Sequence, residues 1–228
     1  MIRGFCFDLD GTLVDSERES AEAMARALLR GQAIAVEQYD RDFIIGRSWV
    51  AIYDSLVARY PALTWTREEV IAHTAMMREE VFAERGITVL PGAREVLRWT
   101  QSYPRGLVTG SSRAEVTQVL PLIGPEARFE SIVAAEDVAR SKPHPDGYLQ
   151  AIAAIGLAPG EVLIIEDSEA GIRAARTAGS LVIAVRAGNF GGWDQSGAHV
   201  VIDTLVELTP SLVVQVARDY GSGMGGAS

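Results

Sequence analysis

Six short β-branched or apolar runs recur along the chain, at Ile2 to Phe7, Gly106 to Thr109, Ser131 to Ala134, Val162 to Ile165, Leu181 to Val185 and His199 to Ile202. Four amphipathic stretches of helical length lie between them: Ala93 to Thr100, Arg113 to Leu122, Asp146 to Ile155 and Ala170 to Ala178. Gly156 and Gly179 stand as C-terminal stops for the last two. Strands alternating with helices of this size predict right-handed βαβ units. The expected class is α/β, a Rossmann-like doubly wound parallel sheet covered on both faces.

One interval breaks the alternation. Ser16 to Gly86 shows helical spacing almost throughout, in Glu17 to Leu29, Tyr39 to Phe43, Trp49 to Tyr60 and Arg67 to Glu84. It reads as an all-helical insertion after the first strand, and Leu90-Pro91-Gly92 marks the turn into the next helix. The expected organisation is a core of residues 1–15 and 88–220 and an inserted helical domain at 16–87. A Gly/Ser-rich tail at 221–228 is expected to be disordered.

Composition narrows the partners. With 48% hydrophobic residues, the 228-residue chain can bury a core and does not read as disordered. Its net charge of −9, from 21 basic against 30 acidic residues, offers no footprint for nucleic acid or an anionic membrane surface. The run before Asp8 is too short for a signal peptide, and no stretch has the length of a membrane span. Cys6 is the one cysteine, so an intramolecular disulfide is impossible and the cytoplasm is the expected compartment.

Two of the strand candidates end in carboxylates. Phe5-Cys6-Phe7 runs into Asp8-Leu9-Asp10-Gly11-Thr12, a spacing that puts both aspartates on one face of an extended backbone. A calcium loop opened by Asp8 fits poorly, because Gly11 falls out of step with the glycine such a loop needs. Val162-Leu163-Ile164-Ile165 likewise runs into Glu166-Asp167-Ser168, followed by Gly171. Ligands of open α/β sheets bind at the carboxyl ends of strands. If these two strands are neighbours, four carboxylates crowd one pocket. A like-charge pair near 4 Å costs about 4 kcal/mol at an effective dielectric of about 20, so protons or a cation must intervene. An oxygen-only cluster suits a hard divalent ion, with Mg²⁺ the default when a phosphate completes the shell.

Two further segments fit a phosphate. Leu107-Val108-Thr109-Gly110-Ser111-Ser112 offers hydroxyls and a small-residue loop before a helix, although Ser111 and Ser112 suit helix capping equally well. Lys142, in Ser141-Lys142-Pro143-His144-Pro145, is the single lysine among 21 basic residues. A compact ammonium that meets aspartate and phosphate as a point charge accounts for that choice.

Asp8-Leu9-Asp10-Gly11-Thr12, Thr109, Lys142-Pro143 and Glu166-Asp167-Ser168 with Gly171 resemble, in order and spacing, the four motifs of the haloacid dehalogenase-like hydrolase superfamily. The likeness spans Ile2 to about Ile202. The insertion is similar to the helical cap of the subgroup that holds β-phosphoglucomutase and phosphoglycolate phosphatase. The resemblance implies that Asp8 attacks phosphorus and forms an aspartyl-phosphate, while Asp10 is the general acid and then the general base. Thr109 would bind the phosphoryl group, helped by Gly110 and Ser111, and Lys142 would balance charge. Mg²⁺ would be held by Asp8, the Asp10 carbonyl oxygen, Glu166 and Asp167, directly or through water. In the cap, Ile45-Gly46-Arg47-Ser48 resembles a substrate-reading loop, where Arg47 fits either a substrate group or the solvated surface.

The implied activity is a Mg²⁺-dependent phosphatase of a small phosphorylated metabolite. A phosphosugar mutase is the alternative within the superfamily, and an inactive binding or regulatory member the alternative outside catalysis. Asp10 speaks against a dehalogenase, and a cap without lysine against a phosphonate hydrolase. Ser20 stands where β-phosphoglucomutase has a cap histidine, which favours hydrolysis over isomerisation. The other polar or unusual residues read as structure: Cys6 as a buried hydrophobe, Asp15 as a hinge residue, His73 and His199 as incidental, and Trp49, Trp65 and Trp99 as packing. Nothing in the sequence assigns a role to Trp193 or an oligomeric state.

Overall fold

The structure, a computed structural model, describes residues 1–45, 47 and 49–221. Gly46 and Ser48 of the expected substrate-reading loop, and the tail after Gly221, lie outside the described residues. In chain order the elements are β1 (Gly4–Phe7), β2 (Val14–Asp15), α1 (Glu17–Gln32), α2 (Gln38–Phe43), α3 (Trp49–Arg59), α4 (Arg67–Arg85) and β3 (Thr88–Val89). They continue as α5 (Ala93–Trp99), β4 (Arg105–Val108), α6 (Arg113–Ile123), β5 (Ser131–Val133) and α7 (Asp146–Ala154). The last are β6 (Val162–Glu166), α8 (Glu169–Ala178), β7 (Leu181–Val185), β8 (Val200–Ile202) and α9 (Pro210–Tyr220). Two compact units result, one of Met1–Asp15 with Val89–Ser228 and one of Ser16–Thr88.

The first unit is built on a six-stranded sheet in the order β5-β4-β1-β6-β7-β8, with its neighbouring strands paired in parallel. The chain winds outward from β1 to β4 and β5, then returns to β6 on the other side of β1. That reversal opens a crevice at the carboxyl ends of the central strands. The register sets Cys6 against Ile164 and Phe7 against Ile165, so the segments that follow β1 and β6 emerge side by side.

Strand alternation sorts the core residues. Cys6 faces the layer that contains Tyr148, Ile152, Ile172 and Ala175 of α7 and α8. Phe5 and Phe7 face the other way, where Phe5 meets Trp99 edge-on at 5.5 Å and Phe7 meets Phe129 at 6.2 Å. β6 and β7 are buried along their whole length, as strands covered on both faces must be. The Cys6 thiol is fully buried, and burial pushes it up to about 12, so it stays protonated as the small hydrophobe the sequence suggests.

The second unit buries Ala21, Met24 and Leu28 of α1 with Ile52, Leu56 and Val70. Arg26 and Arg30 of α1 pair with Glu80 of α4, and Arg26 also with Glu84, which fixes the two helices side by side. Thr66 and Glu69 cap α4 reciprocally, each side chain taking the other's backbone N–H. His73 stacks on Trp65 with ring centroids 4.0 Å apart, so both act as packing.

Three elements go beyond the sequence reading. β2 and β3 pair as a two-stranded ribbon where the chain leaves and re-enters the core, and each is too short to show alternation. α9, which was not anticipated, starts with Thr209 capping the Leu212 N–H and Pro210 in the first turn. His199 is more than incidental, since its Nδ1 accepts the Val182 N–H at 3.0 Å and its ring packs on Tyr220.

Candidate active site

Past Phe7 the chain stays tied to the sheet for one more residue, with the Asp8 N–H donating to Ile165 O at 3.0 Å. It then folds into a tight loop in which the Gly11 N–H donates to Val14 O at 2.7 Å and Gly11 takes φ +85°. A side chain is excluded at Gly11 twice over, by that left-handed backbone and because a Cβ would stand 2.4 Å from Asp167 Oδ2. Gly188 meets the same loop from the far side, where a Cβ would sit 1.8 Å from Gly11 O. The loop that carries Asp8 and Asp10 is thus held between two close approaches that only glycine permits, one to the Asp167 carboxylate and one between the Gly11 and Gly188 backbones.

β6 delivers the second set of carboxylates. Glu166 is fully buried and surrounded by donors. Its Oε1 accepts Lys142 Nζ at 2.5 Å and the Tyr148 hydroxyl at 2.7 Å. Its Oε2 accepts the Asp167 and Ser168 N–H groups and the Ser168 hydroxyl. Ser168 also caps α8 through the Gly171 N–H, and a Cβ on Gly171 would lie 1.8 Å from Glu166 Oε1. Asp167 accepts from Thr12 Oγ1 at 3.3 Å, and its carbonyl takes an amide hydrogen of buried Gln195.

Lys142 joins the two sets. Its ammonium donates to Asp8 Oδ1 at 2.5 Å, Glu166 Oε1 at 2.5 Å and Val108 O at 2.9 Å, and stands 5.2 Å from the centre of the Tyr148 ring. Asp8, Glu166 and Asp167 each bring a carboxylate oxygen within 4.8 Å of the others. The other acidic residue of the β1 end, Asp10, has its Oδ2 on the Ser111 hydroxyl at 2.5 Å, and its charge acts on Asp8.

One ammonium does not balance three buried carboxylates. Burial raises the Asp8 carboxyl, to about 7, and the neighbouring Glu166 and Asp10 charges add to the rise while Lys142 opposes it. Burial likewise drives Asp167 well up, reinforced by the Asp8 and Glu166 charges. Glu166 goes the other way, because Lys142 and its hydrogen-bond donors outweigh the burial penalty. Lys142 rises although burial alone would lower it, since Asp8 and Glu166 hold its proton. Tyr148 is raised far above the ordinary phenol range by burial and the Glu166 charge, so it remains a donor. The site lacks positive charge, and its oxygen-only donor set fits a hard divalent cation.

Thr109 directly follows β4 with its N–H on Val133 O, and its Oγ1 accepts the Ser111 N–H at 3.0 Å. Thr109, Gly110 and Lys142 line a cavity of about 140 Å³ together with Ala134, Ser141 and His144. The two serines divide their work: Ser112 caps α6 through the Glu115 N–H, and Ser111 holds Asp10. Arg47 belongs to the helical unit, is exposed, and places its guanidinium 4.3 Å from the centre of the Phe43 ring. Tyr148, Gln195 and Gly188 were not foreseen as parts of the site. Tyr148 follows the helical pattern of a core residue, and a lone Gln or Gly in a loop carries no signal. Thr12 and Ser168 stand inside the quoted motifs, where their hydroxyls were the available clue.

The fold and the site together define a class of protein, a parallel α/β core with buried carboxylates and a lysine gathered at its central strand ends. A family model described as haloacid dehalogenase-like hydrolase matches residues 2–179, and the chain belongs to that family. It is 33% identical over 175 residues to validoxylamine A 7'-phosphate phosphatase of Streptomyces hygroscopicus subsp. limoneus, covering 76% of this chain and 80% of that protein. It is 31% identical over 240 residues to phosphoglycolate phosphatase of Escherichia coli K12, covering 92% of each. The fold is shared with CbbY from Rhodobacter sphaeroides, solved in complex with phosphate, at a TM-score of 0.76 and 23% identity over 91% of this chain and 96% of that one. The protein is accordingly an enzyme of this family, a hydrolase of the phosphatase type. No described helix is long and apolar enough to cross a membrane.

Proposed function

We propose that the protein is a Mg²⁺-dependent phosphatase that hydrolyses a small phosphorylated metabolite through an aspartyl-phosphate on Asp8. The observation that carries this reading is the Lys142 ammonium, 2.5 Å from both Asp8 and Glu166 in a cluster whose third carboxylate is Asp167. Lys142 draws the Asp8 charge toward one oxygen and balances the negative charge that arrives with a phosphate. A bound Mg²⁺ would be held by Asp8, Asp167, Glu166 and the Asp10 carbonyl oxygen, directly or through water, and would supply charge stabilisation to the phosphoryl oxygens.

In the first step a carboxylate oxygen of Asp8 forms a bond to phosphorus as the bond from phosphorus to the leaving oxygen breaks, and Asp10 gives that oxygen a proton. In the second, Asp10 takes a proton from water as the water oxygen attacks phosphorus, and the acyl-phosphate bond breaks to restore Asp8. Thr109, with Gly110 beside it, binds phosphoryl oxygens at the end of β4. The reaction is driven by positioning and electrostatics rather than by further covalent steps. The relatives act, by their names, on phosphoglycolate and on a validoxylamine phosphate, which supports a small hydroxylated organic phosphate as substrate class. Hydrolysis is favoured over isomerisation because residues 16–88 hold no lysine and carry Ser20 where a mutase has its cap histidine.

Release of phosphate from p-nitrophenyl phosphate is expected to vanish in excess chelator and to return with Mg²⁺. Full activity in excess chelator would exclude the metal from the proposal. A panel of phosphorylated metabolites, read by phosphate release, then ranks the substrates.

A further inference from the structure

The hydrogen bond from Ser111 to Asp10 has a chemical consequence. Ser111 is fixed by its backbone at both ends: its N–H donates to Thr109 Oγ1 at 3.0 Å, and its carbonyl accepts the Ala135 N–H at 3.0 Å. The next residue, Ser112, is committed to the α6 cap. The Ser111 side chain therefore projects from a clamped position, and its Oγ lies 2.5 Å from Asp10 Oδ2. Asp10 sits in the glycine-pinched loop, whose own backbone is closed between Gly11 and Val14.

We infer that Ser111 is a positioning residue for the acid and base steps of Asp10, not a phosphate ligand. The Ser111 hydroxyl engages Asp10 Oδ2 and so fixes the carboxyl plane from which Asp10 passes its proton to the leaving group. When Asp10 has given its proton away, Ser111 still donates to Oδ2 and steadies the carboxylate until the attacking water refills it. No atom of Ser111 is consumed in either step. This inference rests on the acid and base role given to Asp10 above and adds the group that orients it.

The experiment compares kcat/KM for phenyl phosphate and p-nitrophenyl phosphate, which differ little in shape. Phenolate is the stronger base and needs the proton more, and kcat/KM reports the step in which it leaves. Ser111→Ala is expected to lower the phenyl to p-nitrophenyl ratio by about three- to tenfold, the size of one ordinary hydrogen bond. Ser111→Thr, which keeps the hydroxyl, should restore the ratio, and Ser111→Cys, a weak donor of similar size, should behave as Ser111→Ala does. An equal fall for both substrates would overturn the inference, because a lost phosphate contact or a general structural defect does not depend on the leaving group. Asp10→Asn is the control. If it leaves the ratio as in the unaltered enzyme, the acid role fails and takes this inference with it. If it lowers the ratio and neither Ser111→Ala nor Ser111→Cys does, the inference alone is wrong.

Discussion

Asp8→Asn is expected to lower turnover by about 10⁴-fold or more while leaving the protein folded, because a carboxamide cannot serve as the nucleophile. The fold should survive for an electrostatic reason. Burial and the neighbouring carboxylates raise Asp8 to about 7, which means its charge is held at a cost despite Lys142. Replacing that charge by a neutral amide of the same shape relieves the excess of negative charge in the pocket. Thermal unfolding of Asp8→Asn should therefore occur at the same temperature as in the unaltered protein or higher. Asp10→Asn should cost less, on the order of 10²- to 10⁴-fold, the usual share of acid and base catalysis. An Asp8→Asn enzyme with near-native turnover would exclude the covalent route. One that is inactive and unfolded would contradict the charge accounting.

The second large effect is expected at Lys142, and here stability and activity fall together. Lys142→Ala leaves Asp8 and Glu166 buried without their shared cation, a change that costs about 3–5 kcal/mol when a buried pair loses one partner. The deficit should depend on pH in a definite sense. Without Lys142 the Asp8 carboxyl, already raised, goes up further and Glu166 loses the charge that holds it down, so the folded variant takes up more protons relative to its unfolded chain than the unaltered protein does. The variant's stability relative to the unaltered protein then grows as pH falls, and the gap between them should narrow from neutral pH toward about pH 5. Lys142→Arg should not restore activity, since Nζ already sits within 2.9 Å of three oxygens and a planar guanidinium does not fit that space. Unfolding temperatures measured across this pH range for both variants check the sign. A gap that widens on acidification would show that the carboxylates are not what Lys142 balances.

The readable parts of the site were those carried by strand ends. Alternation in Phe5-Cys6-Phe7 and the unbroken apolar run Val162 to Ile165 identify two buried parallel strands. The acidic residues at their ends become neighbours once β1 pairs with β6. The oddity of a single lysine pointed to Lys142 without any structure. The tight turn that closes on Gly11 and the hydrogen bond from Ser111 to Asp10 are not readable from local sequence. Loop geometry of that kind depends on contacts from distant segments, here Gly188, and no local pattern encodes it. Tyr148 was hidden for a related reason. Its ring follows the helical pattern of α7 as any core aromatic would, and only the tertiary packing brings its hydroxyl to Glu166. The short β2 and β3 lack the length for periodicity, and α9 lies beyond the last strand, where the α/β alternation gives no prompt.

The aspartyl-phosphate on Asp8 is the centre of the proposed mechanism, and it can be caught. Rapid acid quenching during turnover of a phosphate-labelled aryl substrate with Mg²⁺, followed by peptide mapping, should find label on the peptide that contains Asp8. The label should be lost in base, as an acyl phosphate is, and should be absent from Asp8→Asn. Asp10→Asn should accumulate more of it than the unaltered enzyme, because Asp10 prepares the water that clears it. Turnover with no label on that peptide at any quench time, in either the unaltered enzyme or Asp10→Asn, would contradict the covalent mechanism.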